Sequence, residues 1–227
     1  MMGKGLTELV FILDRSGSMS GLEADIIGGF NSLIAKQKKE EGTALISTVL
    51  FDDQAEVLYD RISLDRIEPM NDRQYYVRGC TALLDALGGA IHHIGNVHKY
   101  AREEDRPEKT IFIITTDGME NSSHRYTYDK VKKMVERQRD RYGWEFLFLG
   151  ANIDAIEVAG RFGVQANRAV NYECDSEGTQ LNYEVLSKAV SRVRTCAAPT
   201  AAMAFDECDD WAEEIRADYS KRHRGRR

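Results

Sequence analysis

The residues with the clearest chemical potential stand at the end of an apolar run near the start of the chain. Residues 9–13 are all apolar and lead directly into Asp14, Ser16 and Ser18. One carboxylate and two hydroxyls in a tight turn are hard oxygen donors, which Mg2+ prefers in a near-octahedral shell that keeps several waters. This spacing predicts a cradle for a small divalent cation, with a position left open to an outside ligand.

Two later segments carry complementary donors. Thr81 follows Gly79-Cys80 and stands just before a helical pattern, and Asp117 follows a strand predicted over residues 110–116. Ligands of open α/β sheets sit outside the carboxyl ends of the strands. We therefore expect all of these oxygen donors to meet at one edge of a sheet.

With these residues the chain resembles the von Willebrand factor A (vWA) family and its metal-ion-dependent adhesion site, and in particular stand-alone bacterial intracellular members of that family. The site consists of a DxSxS element, a distant Thr and a distant Asp. The matching residues are Asp14, Ser16, Ser18, Thr81 and Asp117. The resemblance covers roughly residues 5 to 170. It implies that the DxSxS residues contact Mg2+, or Mn2+, and that the other two bind it directly or through water.

The hydrophobic patterns that position these residues alternate between strands and helices. Strands are predicted over residues 6–13, 43–51, 55–59, 110–116, 144–150 and 169–172, and helices over 22–34, 83–94, 131–138, 153–162, 181–193 and 211–219. The link Asp52-Asp53-Gln54 is so short that the second and third strands must form an antiparallel hairpin. The fold class is α/β: a doubly wound, Rossmann-like open sheet of about six strands. The sheet is mostly parallel with one antiparallel edge strand, helices on both faces and extra C-terminal helices.

Length and charge patterning predict how the chain is divided. We expect a vWA domain over residues 1–175, a helical extension over 176–220 that packs on the same domain, and a disordered basic tail over 221–227. The net charge of −6 argues against a nucleic-acid partner. No apolar run approaches the roughly 20 residues that cross a bilayer, so no membrane partner is expected.

Three residue types, cysteine, arginine and aspartate, carry secondary expectations. The four cysteines form no CxxC pair, which favours reduced thiols and a cytoplasmic location, as does the absence of a signal region at the start. We expect Cys80 to pack beneath its loop, Arg15 to point to solvent, and Asp52 and Asp53 to serve the hairpin turn.

The functional hypothesis is a binding module, not an enzyme, in which bound Mg2+ coordinates an Asp or Glu of a partner protein. Family members of this kind work beside ATPases, kinases or stress-response assemblies, so the resemblance implies a partner of that sort. One alternative is a Mg2+-dependent phosphoryl-transfer or phosphatase-like enzyme, although a GxxxxGKS or GxxxxGKT phosphate loop is missing. Another is a scaffold that has lost metal binding, which the intact set of five donors supports poorly.

Overall fold

Six strands form a single open sheet in the computed structural model, which describes residues 5–207 and 210–223. The strands are β1 (Thr7–Asp14), β2 (Ala44–Phe51), β3 (Ala55–Ser63), β4 (Lys109–Thr116), β5 (Glu145–Gly150) and β6 (Ala169–Asn171). The helices are α1 (Glu23–Gln37), α2 (Leu83–Tyr100), α3 (Tyr128–Tyr142), α4 (Ala155–Arg161), α5 (Ser176–Thr195), α6 (Ala201–Asp206) and α7 (Glu213–His223).

The strand order is β3-β2-β1-β4-β5-β6. β1 pairs in parallel with β2 and β4, the β4–β5 and β5–β6 pairs are also parallel, and β3 runs antiparallel to β2 at one edge. The predicted fold class is therefore confirmed. The chain reverses its direction of strand addition between β1 and β4, which are adjacent at the centre of the sheet.

Helices cover both faces of the sheet, and the alternation of side chains along β1 shows how. Leu9, Phe11 and Leu13 belong to one apolar core that also contains residues of α1 and α5. Val10 and Ile12 belong to the other core, which contains residues of α2, α3 and α4. Successive side chains of a strand point to opposite faces, so a strand buried on both sides reads as a continuous apolar run. Packing on both faces of β1 fixes the position of its last residue, Asp14.

Two elements differ from the prediction. β3 continues to Ser63 instead of ending at Tyr59, through a bulge where Arg61 has a φ of +50°. The polar pair Asp60-Arg61 breaks the apolar alternation there, which hid the strand's second half. Helix α6 begins at Ala201, in a stretch for which no helix was predicted, and the Thr200 hydroxyl caps its N-terminus by accepting from the Met203 amide.

The C-terminal helices pack against the sheet domain. α5 contributes a buried face to the same core as β1 and lies along α1. Residues 221–223 belong to α7, where Arg222 pairs with Asp175, Glu177 and Asp218, so they are not part of a disordered tail. Residues 224–227 lie outside the described residues, and the division into domain and extension stays a prediction.

Within residues 5–207 and 210–223, no helix combines the length and the apolar character needed to cross a bilayer.

Candidate metal centre

The candidate site lies at the carboxyl ends of the two central strands. Asp14 is the last residue of β1, and Asp117 directly follows β4. These strands are neighbours at the point where the strand order reverses, and the crevice outside such a switch point is where open α/β sheets bind their ligands. The topology therefore brings the first and last predicted donors to one edge.

A chain of hydrogen bonds connects four of the five predicted donors. The Asp14 carboxylate accepts from the Ser16 amide at 2.7 Å, and the Ser16 and Ser18 hydroxyl oxygens lie 3.1 Å apart. The Ser18 hydroxyl then donates to the Asp117 carboxylate at 2.5 Å. A 3-10 turn over Gly17–Met19 produces this arrangement, because it folds the DxSxS segment back over the sheet edge.

Thr81 approaches the same cluster from the start of α2. A Cβ atom added at Gly118 would lie 3.4 Å from both the Ser18 and the Thr81 hydroxyl oxygens, so the two hydroxyls border one point. The Thr81 amide donates to the Asn121 side chain at 3.0 Å, and the Thr81 carbonyl accepts from the amides of Asn121 and Ser122. The loop after Asp117 thus holds Thr81 in place.

Sequence reasoning missed three residues that shape this cluster. The Thr116 hydroxyl donates to the second oxygen of Asp14 at 2.5 Å, and the Tyr75 hydroxyl donates to the Asp14 carbonyl at 2.5 Å. Glu120 accepts from the Leu84 amide and so caps α2. Thr116 had a readable signal, a hydroxyl at a strand end one residue before Asp117. Tyr75 and Glu120 had none, because their contacts depend on the tertiary fold.

The electrostatics of the cluster favour a bound cation. The pKa of Asp14 is raised to about 6. Burial is the largest cause and the nearby charge of Asp117 adds to it, while hydrogen bonds from Thr116 and Ser16 act in the opposite direction. Two carboxylates in a buried site repel each other unless a positive charge lies between them. The donor set of carboxylates and hydroxyls suits a small hard cation such as Mg2+ or Mn2+. The described part of the chain holds no group of three His, Cys, Asp or Glu residues placed for a metal.

Cys174 adds a contact that the sequence did not predict. Its thiol donates to the second oxygen of Asp117 at 3.5 Å. Burial and the charge of Asp117 raise the pKa of Cys174 to about 12, so the thiol is neutral and acts as a donor. Both oxygens of Asp117 thereby have hydrogen-bond partners within the chain.

Two secondary expectations are wrong at this end of the molecule. Arg15 is fully buried instead of pointing to solvent, because its guanidinium forms ion pairs with Asp52 and Glu56, each at 2.8 Å. Cys80 is exposed instead of packing beneath its loop. The Asp53 carboxylate and the Asp52 Cβ atom lie beside Gly79, so a side chain at that position would have to displace the exposed Asp53 carboxylate.

Asp52 consequently does more than form a turn. It is buried, and its carboxylate accepts from both Arg15 and Arg78. Burial by itself would raise the pKa of Asp52, but the hydrogen bonds from Arg78, Gln54 and Arg15 lower it below its ordinary value.

Comparison with known proteins supports the fold. No protein-family model matches the sequence, and no curated protein matches it. Several solved structures match the fold of this chain. Proximal thread matrix protein 1 from the mussel byssus, in a form described with a zinc-occupied MIDAS motif, superimposes with a TM-score of 0.56 at 15% identity over 84% of this chain and 47% of that chain. A von Willebrand factor type A protein from Catenulispora acidiphila gives 0.52 at 14% identity over 82% and 42%.

Manganese-loaded TRAP protein from Plasmodium vivax gives a TM-score of 0.53 at 15% identity over 80% of this chain and 73% of that chain. The fold is that of a doubly wound α/β domain, with a polar cluster at the switch point of its sheet. This chain has the von Willebrand factor A fold. It spans about half the length of the mussel and Catenulispora proteins that it matches.

Proposed function

We propose that this chain is a divalent-metal-dependent protein-binding module. Mg2+, or Mn2+, is held by five residues, and an Asp or Glu of a partner protein completes its coordination. The five are Asp14, Ser16, Ser18, Thr81 and Asp117. The observation that carries the proposal is the hydrogen-bonded cluster of two carboxylates and serine hydroxyls at the adjoining ends of β1 and β4.

The charges of the donors explain why the partner group is acidic. Asp14 and Asp117 carry two negative charges at most, whereas the serine and threonine hydroxyls are neutral. Bound metal would supply a Lewis-acidic position that accepts one further oxygen ligand. Hydrogen bonds from the chain orient both carboxylates. With a divalent ion bound, the net charge of the site would be at or above zero. An anionic side chain is therefore favoured over a neutral one.

The structural relatives support a divalent ion at such a site. One is described as zinc-occupied at its MIDAS motif and another as manganese-loaded. The proposed partner is a protein with an accessible acidic side chain. It could belong to an ATPase, kinase or stress-response assembly. We further propose that the protein acts in the bacterial cytoplasm, in keeping with the free thiols of Cys80, Cys174 and Cys196.

We propose that the site is not catalytic. An enzyme that transfers phosphoryl groups needs cations free to bind the phosphate oxygens. Arg15 lies within the DxSxS segment and Arg78 lies three residues before Thr81, and both are already paired with Asp52. Their engagement supports binding over phosphoryl transfer.

The first test is metal binding itself. We expect Mg2+ or Mn2+ at about 100 times its dissociation constant to raise the free energy of unfolding by roughly 2.7 kcal/mol. Chemical denaturation with added metal or EDTA measures this. The matched control is Asp72→Ala, an exposed carboxylate without a hydrogen bond or ion pair in the described part of the chain, which should retain the full effect. An unchanged stability of the wild-type protein would contradict the proposal.

The second test concerns the partner. Affinity capture from the native source in Mg2+ should retain partners that EDTA and Thr81→Ala release. Equal retention in all three conditions would reject recognition through the metal.

A further inference from the structure

Three segments meet at the buried side chain of Asp52: the DxSxS loop, the hairpin between β2 and β3, and the loop that leads to Thr81. We propose that Asp52 is a positioning residue for the metal site, which sets the DxSxS loop and Thr81 at a fixed separation. The inference rests on the proposed function, since it concerns how the same site is organised.

The side-chain contacts of Asp52 join the two ligand-bearing loops. One carboxylate oxygen accepts from Arg15 Nε at 2.8 Å and from Arg78 Nε at 2.7 Å. The other accepts from the Gln54 amide at 2.9 Å, which fixes the carboxylate in the hairpin turn. Arg15 stands between Asp14 and Ser16 in the chain, and Arg78 stands three residues before Thr81. A single carboxylate oxygen thus connects both loops.

Main-chain hydrogen bonds repeat the connection. The Asp52 carbonyl accepts from the Ala82 amide at 2.7 Å, immediately after Thr81. The Arg78 amide donates to the Arg15 carbonyl at 2.9 Å, and the Gly17 amide donates to the Gly79 carbonyl at 3.2 Å. The two loops therefore touch each other just before Thr81, and the hairpin binds the chain directly after Thr81. A shift of the hairpin would thus move both loops together.

Charge gives Asp52 a second effect on the same site. Arg15 is fully buried beside Asp14 in the chain, and an uncompensated cation there would oppose a bound metal ion. Its Nη1 atom has no hydrogen-bond partner within residues 5–207 and 210–223, so Asp52 and the half-exposed Glu56 hold the guanidinium. Loss of the Asp52 charge should weaken metal binding through both position and repulsion.

Arg78 separates these two effects. Its side chain is 44% exposed, so its removal should leave the fold intact. If Asp52 acts by position, Arg78→Ala loosens the Thr81 loop and weakens metal binding. If only charge matters, removing this cation leaves metal binding unchanged or strengthens it. Only the positioning role predicts weaker metal binding in Arg78→Ala.

The experiment is a Mn2+ titration followed by calorimetry and by the electron paramagnetic resonance signal of the free ion. Four full-length proteins are compared: wild type, Asp52→Asn, Arg78→Ala and the control Arg73→Ala. Arg73 is an exposed arginine of the same segment, and its side chain forms no ion pair or hydrogen bond in the described part of the chain. Circular dichroism and thermal unfolding confirm that each variant is folded.

We expect Asp52→Asn and Arg78→Ala each to raise the Mn2+ dissociation constant about tenfold, while Arg73→Ala leaves it unchanged. Wild-type affinity, or tighter binding, in folded Arg78→Ala would overturn the positioning role although the metal site stands. A wild-type protein that binds no Mn2+ would overturn the metal site and the positioning role together.

Discussion

The two ends of β1 carry buried carboxylates in opposite electrostatic situations. Near its start, Glu8 is fully buried and accepts from Arg61 at 2.8 Å, while His98 lies 2.6 Å away. At its end, Asp14 is equally buried, but its partners are hydroxyls, an amide and a neighbouring carboxylate. Within residues 5–207 and 210–223, the fold supplies basic partners to Glu8 and none to Asp14.

This difference separates a structural carboxylate from a candidate metal ligand. Burial of a carboxylate without a basic partner is unfavourable and persists where another ion compensates the charge. The sequence alone gives Glu8 and Asp14 similar apolar surroundings, because each adjoins the run over residues 9–13. Only the partners brought by the tertiary fold distinguish them.

The largest expected effect is at the structural end. Glu8→Ala should lower the free energy of unfolding by about 3–5 kcal/mol, since it leaves Arg61 without its buried partner. Urea denaturation measures the loss, which should be the same in Mg2+ and in EDTA. The control Glu104→Ala removes an exposed ion pair with Arg102 and should lose less than about 1 kcal/mol. A loss of stability in Glu8→Ala that differs between Mg2+ and EDTA would show that Glu8 also affects the metal site.

Asp14→Asn should behave in the opposite way. The variant should lose the whole stabilisation by Mg2+, about 2.7 kcal/mol at 100 times the wild-type dissociation constant. In EDTA it should be at least as stable as the wild type at pH 7, because burial disfavours the charged form of Asp14. Parallel denaturation in both buffers checks the two statements. A variant that is weaker in EDTA, yet responds to Mg2+, would make Asp14 a structural residue like Glu8.

Gly79→Ala tests how closely the hairpin supports the Thr81 loop. Gly79 has a φ of +66°, and an added Cβ would lie 2.1 Å from the Asp53 carboxylate. We expect a loss of about 1–2 kcal/mol in EDTA and a weaker response to Mg2+. Gly21→Ala is the matched control, since Gly21 has a φ of +92° with no atom within 4 Å of the added Cβ. Equal metal responses in the two variants would show that the hairpin does not support the site.

The smallest expected effect is at Asn121, whose side chain accepts a hydrogen bond from the Thr81 amide. Asn121→Ala removes the side-chain acceptor of the Thr81 amide, a hydrogen bond worth about 1 kcal/mol, and should weaken Mn2+ binding about fivefold. Asn121→Asp keeps an acceptor oxygen at that position and should bind Mn2+ at least as well as the wild type. Calorimetric titration of both variants provides the measurement. Equal weakening by both substitutions would argue that the amide bond is not the relevant contact.

Much of the fold could be predicted from local patterns. The strands β1 and β4 are buried on both faces, and such strands can be recognised from sequence because their centres, residues 9–13 and 111–114, are entirely apolar. The hairpin followed from its short turn, and the proximity of Asp14 and Asp117 followed from their positions at strand ends. The second half of β3 and the short helix α6 were missed, since neither has an apolar period long enough to recognise.

The partners of buried charges could not be predicted. His98 lies 90 residues from Glu8, and Asp52 lies 37 residues from Arg15. A polar residue in a sequence carries no sign of which distant residue will neutralise it. Asp52 therefore read as a turn former and Arg15 as a surface cation, although together they form a buried pair beside the candidate site.

The hydroxyl groups of Ser18 and Thr116 have a consequence for how the protein behaves in magnesium-poor surroundings. Each already satisfies a carboxylate oxygen from within the chain, at 2.5 Å in both cases. Folding therefore need not wait for an ion, unlike that of small zinc-dependent domains. Under the proposed function, the chain would therefore fold first and bind its metal ion afterwards, so that the supply of the ion would control binding of the partner and not folding.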